Sequence, residues 1–352
     1  MSMWTYIVIF IVLFVTELVY FRVAKRFGIV DKPDEESSHS SVVLRGGGII
    51  IPLAMFLWAI QLGLTGEWDV AVAHWPFFIG LLLMGITGFW DDIHSLSAIG
   101  RLVVMFVVVG LMLGQLMLEN GGVEVDHWFH GAVLLVLATF VYVGGVNIIN
   151  FMDGINGITA GYGLAVLVPL LLLNHRMGVP FSPNSFLWVA ALGVLVFGLF
   201  NFRPKGKAKC FAGDVGSLSV GFILLFATFR LIRETGDGGW LVLFAVYGID
   251  GGLTIFHRMM QHENILQAHR KHAYQLMANE LGMSHVVVSS FYAVLQLVIS
   301  LIAIYVVPNT IVAHWAYFLG VSLVMAVAYI LFMRKYYHLH EEYLEQQKEN
   351  LE

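Results

Sequence analysis

The chain has 352 residues, of which 59% are apolar and only 12% charged, about half the charged share of an ordinary soluble domain. A soluble fold of this size cannot cover so much apolar surface, and a disordered chain has the opposite balance. The net charge of -5 comes without a basic block, which sets nucleic acid aside as a partner. The single cysteine, Cys210, excludes an intramolecular disulfide framework and a cysteine-based metal cluster. What remains is an all-α polytopic membrane protein.

A membrane-crossing helix needs about 20 mostly apolar residues. In chain order that ruler marks eleven segments: 3–23, 47–64, 74–90, 99–118, 129–147, 157–174, 185–201, 215–233, 239–256, 286–307 and 311–333. The first has neither a basic leading segment nor a small-residue cleavage site, so it reads as a retained helix. Every Lys and Arg except Arg176, Arg230 and Arg233 falls on one side of this topology. The positive-inside rule assigns that side to the cytoplasm, with the N-terminus outside and the C-terminus inside. No fixed-period repeat and no Pro- or Ser-rich linker divides the chain. Residues 1–333 read as one transmembrane domain and 334–352 as a charged cytoplasmic tail, expected to be a solvated helix. Glycines within spans (Gly80, Gly85, Gly88, Gly144, Gly145, Gly193, Gly198) are expected to let helices approach closely.

The same parity carries the polar residues of interest to the cytoplasmic face. Asp91 and Asp92 end the third span. Asn150, Asp153 and Asn156 lie between spans five and six, and Asp214 between seven and eight. Asp250 sits near the inner end of span nine, followed by His257, His262, His269, Arg270 and His272 in a long loop. Ionisable groups at the membrane are costly and are usually functional. Converging carboxylates need a counter-charge, and oxygen donors without cysteine suit Mg²⁺, or Mn²⁺ in its place, rather than zinc. Because Mg²⁺ is usually completed by substrate phosphates, phosphate-bearing substrates are implied. Each piece alone has a plainer reading. The Asp pair could cap a helix at the interface, and Asp153-Gly154 and Asn156-Gly157 are turn dipeptides. Arg45-Gly46-Gly47-Gly48 could be helix packing as readily as a phosphate cradle. Their coincidence on one face is what points to a site.

At these residues the chain resembles the polyprenyl-phosphate N-acetylhexosamine-1-phosphate transferases of glycosyltransferase family 4, relatives of phospho-MurNAc-pentapeptide translocase. The resemblance runs from about Asp31 to His285. It comprises Ser37-Ser38-His39 with Arg45-Gly46-Gly47-Gly48, Asp91-Asp92, Asn150-Phe151-Met152-Asp153-Gly154, and Phe211-Ala212-Gly213-Asp214-Val215-Gly216-Ser217. Asp250 through Arg258 and His269-Arg270-Lys271-His272-Ala273-Tyr274-Gln275 complete it. The last pattern is similar to the O-antigen-initiating branch, while Asn156 stands where many relatives carry a second aspartate. The resemblance implies transfer of an N-acetylhexosamine-1-phosphate from a UDP-N-acetyl sugar to undecaprenyl phosphate, with release of UMP, in a bacterial inner membrane. It implies Asp214 as metal ligand with Asp153 beside it, and Asp91 and Asp92 as the catalytic acidic pair. Asn150, Asp153, Asn156, Phe211 and Arg45 would bind substrate, with Phe211 stacking on uracil. His269, Arg270 and His272 would add positive charge beside the diphosphate. A homodimer is compatible with this reading.

Two other classes fit the composition. A secondary transporter would place its polar groups near the membrane midplane within inverted repeats. An intramembrane aspartyl protease would need both aspartates inside spans, whereas Asp153 and Asp214 are expected in inward loops.

Overall fold

In a computed structural model the described residues are 1–31, 42–118, 128–178, 180–265 and 269–349; Ser37, Ser38 and His39 lie outside them. They form thirteen α-helices, eleven of the helical segments being long and apolar enough to cross a membrane. All eleven expected segments are present, most of them longer than the apolar ruler marked. Helices run beyond their apolar windows because backbone groups in or near lipid must bond internally. Helix α1 (Met3–Phe27) is capped by the Ser2 side chain and stopped by Gly28 in the left-handed conformation. Strands β1 (Val30–Asp31) and β2 (Val43–Leu44) pair antiparallel, and a 3-10 turn, Gly47–Ile49, leads into α2 (Ile50–Leu64). The short α3 (Trp68–Ala73) precedes α4 (Trp75–His94), α5 (Ala98–Leu118), α6 (Trp128–Phe151), α7 (Ile158–Arg176) and α8 (Asn184–Asn201). Then come α9 (Gly213–Thr235), a 3-10 segment (Gly238–Phe244) continuing into α10 (Ala245–Met260), and the short α11 (Ala273–Asn279). Helices α12 (His285–Tyr305) and α13 (Ile311–Glu349) close the chain.

Helix α9 is the axis of the bundle: 83% of its most apolar window is buried, against 17% for α6 and 6% for α13. Small residues bring its neighbours close. A Cβ on Gly88 of α4 would meet the Asp214 and Val215 backbone at 2.5–2.6 Å, and one on Gly80 would meet the Phe222 ring at 2.8 Å. Gly145 of α6 lies against Leu225, and Gly193 of α8 against Ala54. The packing expected of these glycines is therefore present, while Gly144 has no neighbour within 4 Å and Gly85 only the Pro52 ring. The contact that matters most for the site is Gly48, whose Cβ would lie 2.3 Å from Gly216 Cα. Backbone rests on backbone there, at one end of the bundle.

Helix α13 departs from expectation. It is one continuous helix through 349, and beyond the membrane-like portion its His340 is buried and Tyr343 half-buried. The segment is amphipathic rather than solvated all round.

Candidate active site

The chain builds the floor of the site by knitting the turn after β2 to the entrance of α9. Phe211 N–H donates to Leu44 C=O at 2.8 Å, Gly47 N–H to Phe211 C=O at 2.9 Å, and Gly48 N–H to Ala212 C=O at 3.0 Å. Arg45 is thereby carried to the rim. Its own carbonyl accepts from the Tyr20 hydroxyl at 2.5 Å, and its Nε donates to Asp92 Oδ1 at 2.8 Å. Asp31 lies 3.6 Å from the same guanidinium. These carboxylates hold Arg45 above its ordinary pKa, although burial works the other way.

The two adjacent aspartates at the end of α4 have different work. The Asp92 side chain is fully buried and caps α9 from another helix: Oδ1 accepts from Asp214 N–H at 2.9 Å and Oδ2 from Val215 N–H at 3.2 Å. A carboxylate at a helix N-terminus satisfies orphan donors and complements the helix dipole. Gly213, at φ +67°, makes this possible, because a Cβ there would meet the Asp92 carboxylate at 2.4 Å. Asp91 points elsewhere. Its Oδ2 accepts from Arg101 at 2.8 Å, its Oδ1 from Leu96 N–H, and its carboxyl lies within hydrogen-bonding reach of Asp214. Asp214 accepts from Asn150 Nδ2 at 2.8 Å, and its other oxygen is 3.8 Å from Arg101. Asn150 also donates to Ser217 at 2.8 Å.

Arg45, Asn150, Asp153, Asn156, Phe211 and Asp214 line a single cavity, together with Asp31, Gln275 and His285. Asp91 and Asp92 stand behind Asp214 rather than on that lining. Asp153 accepts from the Thr159 hydroxyl at 2.5 Å, and burial pushes its carboxyl up to about 8. It therefore presents a neutral acid to the cavity near neutrality, which suits hydrogen bonding to a base or sugar better than charge neutralisation. Asn156 is largely committed within the fold: its amide donates to the Arg203 and Pro204 carbonyls at 3.0 and 3.1 Å, and its backbone N–H to His285 Nδ1 at 3.3 Å.

The histidine segment approaches from the opposite wall. Asp250 gathers it: one oxygen lies 3.3 Å from His272 Nδ1 and accepts from Ala273 N–H at 3.1 Å. The other accepts from Tyr274 N–H at 3.3 Å and from the Tyr292 hydroxyl at 2.6 Å. The carboxylate thus caps α11 and fixes the His272 ring. Tyr274 then donates to the Phe151 carbonyl at 3.2 Å, pinning α11 on the Asn150–Gly154 turn. His272 is fully buried, so it braces the wall instead of reaching into the cavity. The His269 ring lies 4.9 Å from that of His272 and 6.3 Å from Phe151. Burial, helped by the neighbouring His272, Arg258 and Lys271 charges, pushes His269 down to about 3, so it carries no positive charge near pH 7. Arg270 turns away from the aspartates to pair with Glu280 at 2.8 Å. The structure does not bring these three residues together as positive charge at the aspartates; the cations beside the aspartates are Arg45 and Arg101.

Arg101 was counted in the sequence only as a charge that orients the chain. Its signal was its position: a cation in the first turn of α5 opposes the helix dipole and calls for acidic partners. Gln275 and His285 carried no comparable mark.

Beside the cavity, an apolar groove of about 680 Å³ runs between α5, α6 and α10. Val136, Phe140 and Val143 line its far part, and Asn147, Phe151 and Ile265 its site end. From Leu135 to Phe151 along α6 it spans roughly 24 Å at about 1.5 Å per residue.

Residues 74–232 match the family described as glycosyl transferase family 4. Among curated relatives, a probable undecaprenyl-phosphate N-acetylglucosaminyl 1-phosphate transferase of Bacillus subtilis is 25% identical over 78% of this chain and 76% of its own length. A decaprenyl-phosphate N-acetylglucosaminephosphotransferase of Mycobacterium tuberculosis is 33% identical over 58% of this chain and 54% of its own. A phospho-N-acetylmuramoyl-pentapeptide-transferase of Aquifex aeolicus is 27% identical over 54% and 58%. The chain thus spans little more than half the length of the latter two. The matched region runs from the start of α4 almost to the end of α9, and so contains Asp91, Asp92, Asn150, Asp153 and Asp214. Eleven apolar helical segments, an acidic cavity at one end and this match agree: over residues 74–232 the chain is similar to glycosyl transferase family 4.

Proposed function

We propose that the protein transfers an N-acetylhexosamine-1-phosphate from a UDP-sugar to undecaprenyl phosphate and releases UMP, the first membrane step of a cell-envelope polysaccharide such as an O-antigen. UDP-GlcNAc or a 6-deoxy N-acetyl relative is the donor. The observation that carries this reading is the junction of two environments. A polar cavity lined by Asp214 and Arg45, with Asp91 and Arg101 packed behind Asp214, opens next to a long apolar groove. A soluble sugar nucleotide and a membrane-held chain would meet there. The relatives' named activities support the same class. The basic loops support a cytoplasmic position for this end of the bundle, in a bacterial inner membrane. The polar groups cluster at one end and not at the midplane, which removes the motive for a transporter reading.

The donor set fits Mg²⁺. No group of three His, Cys, Asp or Glu among the described residues has metal-holding spacing, but Mg²⁺ is commonly bound by one or two carboxylates and completed by phosphates. Asp214 and Asp91 would hold it, since their carboxyls lie close together with the Arg101 guanidinium 2.8 Å from one and 3.8 Å from the other. When bound, the ion would offset charge on the diphosphate. Asn150 orients Asp214, while Arg101 steadies both carboxylates. Arg45, at the rim, balances Asp31 and Asp92 and can receive a phosphate oxygen. Asp153, Phe211 and Gln275 would hold the nucleoside. An oxygen of the lipid phosphate attacks the sugar-bearing phosphorus; the new P–O bond forms as the bridging P–O bond to UMP breaks, and UMP leaves with that electron pair. The lipid phosphate is largely a dianion near neutrality, its second pKa being about 6. Positioning, and not proton removal, is what the site must supply.

The test is release of UMP by the full chain in lipid vesicles with undecaprenyl phosphate, Mg²⁺ and a panel of UDP-N-acetyl sugars. Lipid-dependent UMP release with one donor supports the proposal. Absence of release with every donor would overturn it.

A further inference from the structure

The cytoplasm-side part of α13 is tied to the histidine segment along one stripe. Tyr329, Tyr337, His340 and Tyr343 fall within about a third of the helix circumference at 3.6 residues per turn, and each meets a partner. The Tyr329 and Thr254 hydroxyls are 2.8 Å apart. The Tyr337 ring lies 5.0 Å from that of His257 on α10. His340 Nδ1 lies 3.0 Å from Glu280 Oε1, and Tyr343 lies under the Arg270 guanidinium at 4.2 Å. Glu280 Oε1 is also the acceptor for Arg270, at 2.8 Å. Arg270, Glu280 and His340 thus meet at one oxygen, with side chains only 10%, 4% and 1% exposed.

That meeting point is close to the chemistry. Arg270 follows His269 directly, and three residues later the chain enters α11, whose Gln275 lines the cavity and whose Tyr274 holds the Asn150–Gly154 turn. On the other flank, Thr254 donates to Asp250, the residue that fixes His272 and caps α11. Two routes therefore run from α13 to the same wall, one through Glu280 and Arg270, the other through Tyr329, Thr254 and Asp250.

We propose that the end of α13 is a strut that sets the position of the histidine-bearing wall over the cavity, and that Glu280 and His340 are positioning residues for the transfer reaction. Neither touches the cavity, so their influence passes through Arg270 and α11. The proposal rests on the transferase reading for its kinetic arm and on geometry alone for its exchange arm.

The experiment uses the full chain in vesicles with His340→Ala, His340→Asn and Glu280→Gln. Asparagine can put an amide donor near the place of Nδ1, so it serves as the conservative rescue. Amide hydrogen exchange is read over 269–279 and, as a control for global unfolding, over α9. The expected result is faster exchange at 269–279 in the alanine and glutamine variants, unchanged exchange in α9, and recovery in His340→Asn. For UMP release, kcat is expected to fall roughly tenfold in the same two variants, about 1.4 kcal/mol in barrier, with the KM for UDP-sugar within about twofold, and to recover in His340→Asn. Unchanged exchange over 269–279, or a loss shared equally by α9, would overturn the strut. Faster local exchange with undiminished kcat would overturn the positioning role. If the unaltered protein turns over no UDP-sugar, the transferase reading fails, and the exchange arm still decides the strut.

Discussion

Asp91, Asp92 and Asp214 differ only in what surrounds their carboxyls. Asp92 has both oxygens occupied by the α9 backbone and Arg45, so its charge is already matched and its removal would loosen the fold. Asp214 keeps one oxygen near Arg101 and faces the cavity, so its charge is available to a ligand. Asp214→Asn should therefore preserve folding, because an amide oxygen can still accept from Asn150. It should lower kcat by roughly two to three orders of magnitude, since a metal-bound charge is worth several kcal/mol in the transition state. Near-normal UMP release by that variant, at an unchanged thermal midpoint, would remove Asp214 from its assigned role. The members of this group were legible in the sequence because polar residues beside membrane spans are rare. Their division of labour was not. The capping of α9 by Asp92 joins positions 122 residues apart, and no local pattern distinguishes Asp92 from the aspartate before it.

Among the elements, α11 and α13 change most between sequence and fold. The apolar ruler correctly found the membrane part of α13 but passed over its far end, where Tyr337, His340 and Tyr343 make an amphipathic stripe without aliphatic residues. A count of apolar residues cannot register side chains that pack by ring face and hydrogen bond at once. The acid response of this contact is predictable. Burial works to push the Glu280 carboxyl up, but hydrogen bonds from His340 and Arg270 prevail and hold it below the ordinary glutamate range. A depressed carboxylate stabilises the docked arrangement above its unfolded value and loses that contribution as pH falls through the folded one. Acidification below the ordinary glutamate range should release the end of α13, seen as lost amide protection at 335–346 relative to the intrinsic exchange rate at each pH. Glu280→Gln should show fast exchange already at pH 7 and no such step. An unmodified chain whose protection at 335–346 stays constant on acidification would contradict the assignment.

At the scale of the molecule, an odd number of spans would put the two termini on opposite sides, and the positive-inside rule proposes the C-terminal side as the inner one. Cys210 is fully buried, so an introduced cysteine can be read against a quiet background. Lys205→Cys, in the exposed turn between α8 and α9, should react with a membrane-impermeant maleimide only in inverted vesicles. Asn309→Cys, in the turn between α12 and α13, should react only from outside intact cells. The opposite pattern would invert the orientation and move the cavity out of reach of cytoplasmic nucleotides. The cap that Asp92 provides also has a consequence for biogenesis. At about 5–20 residues per second, the ribosome needs roughly 6 to 24 s to travel the 122 positions from Asp92 to Asp214. During that interval the acidic pair has Arg45 and Arg101 within the nascent chain, but the α9 N-terminus that Asp92 caps does not yet exist. A carboxylate stranded at the bilayer centre for so long would resist insertion, whereas one at the lipid boundary can wait in water. The requirements of synthesis, as much as those of chemistry, favour assembling this centre where the spans end.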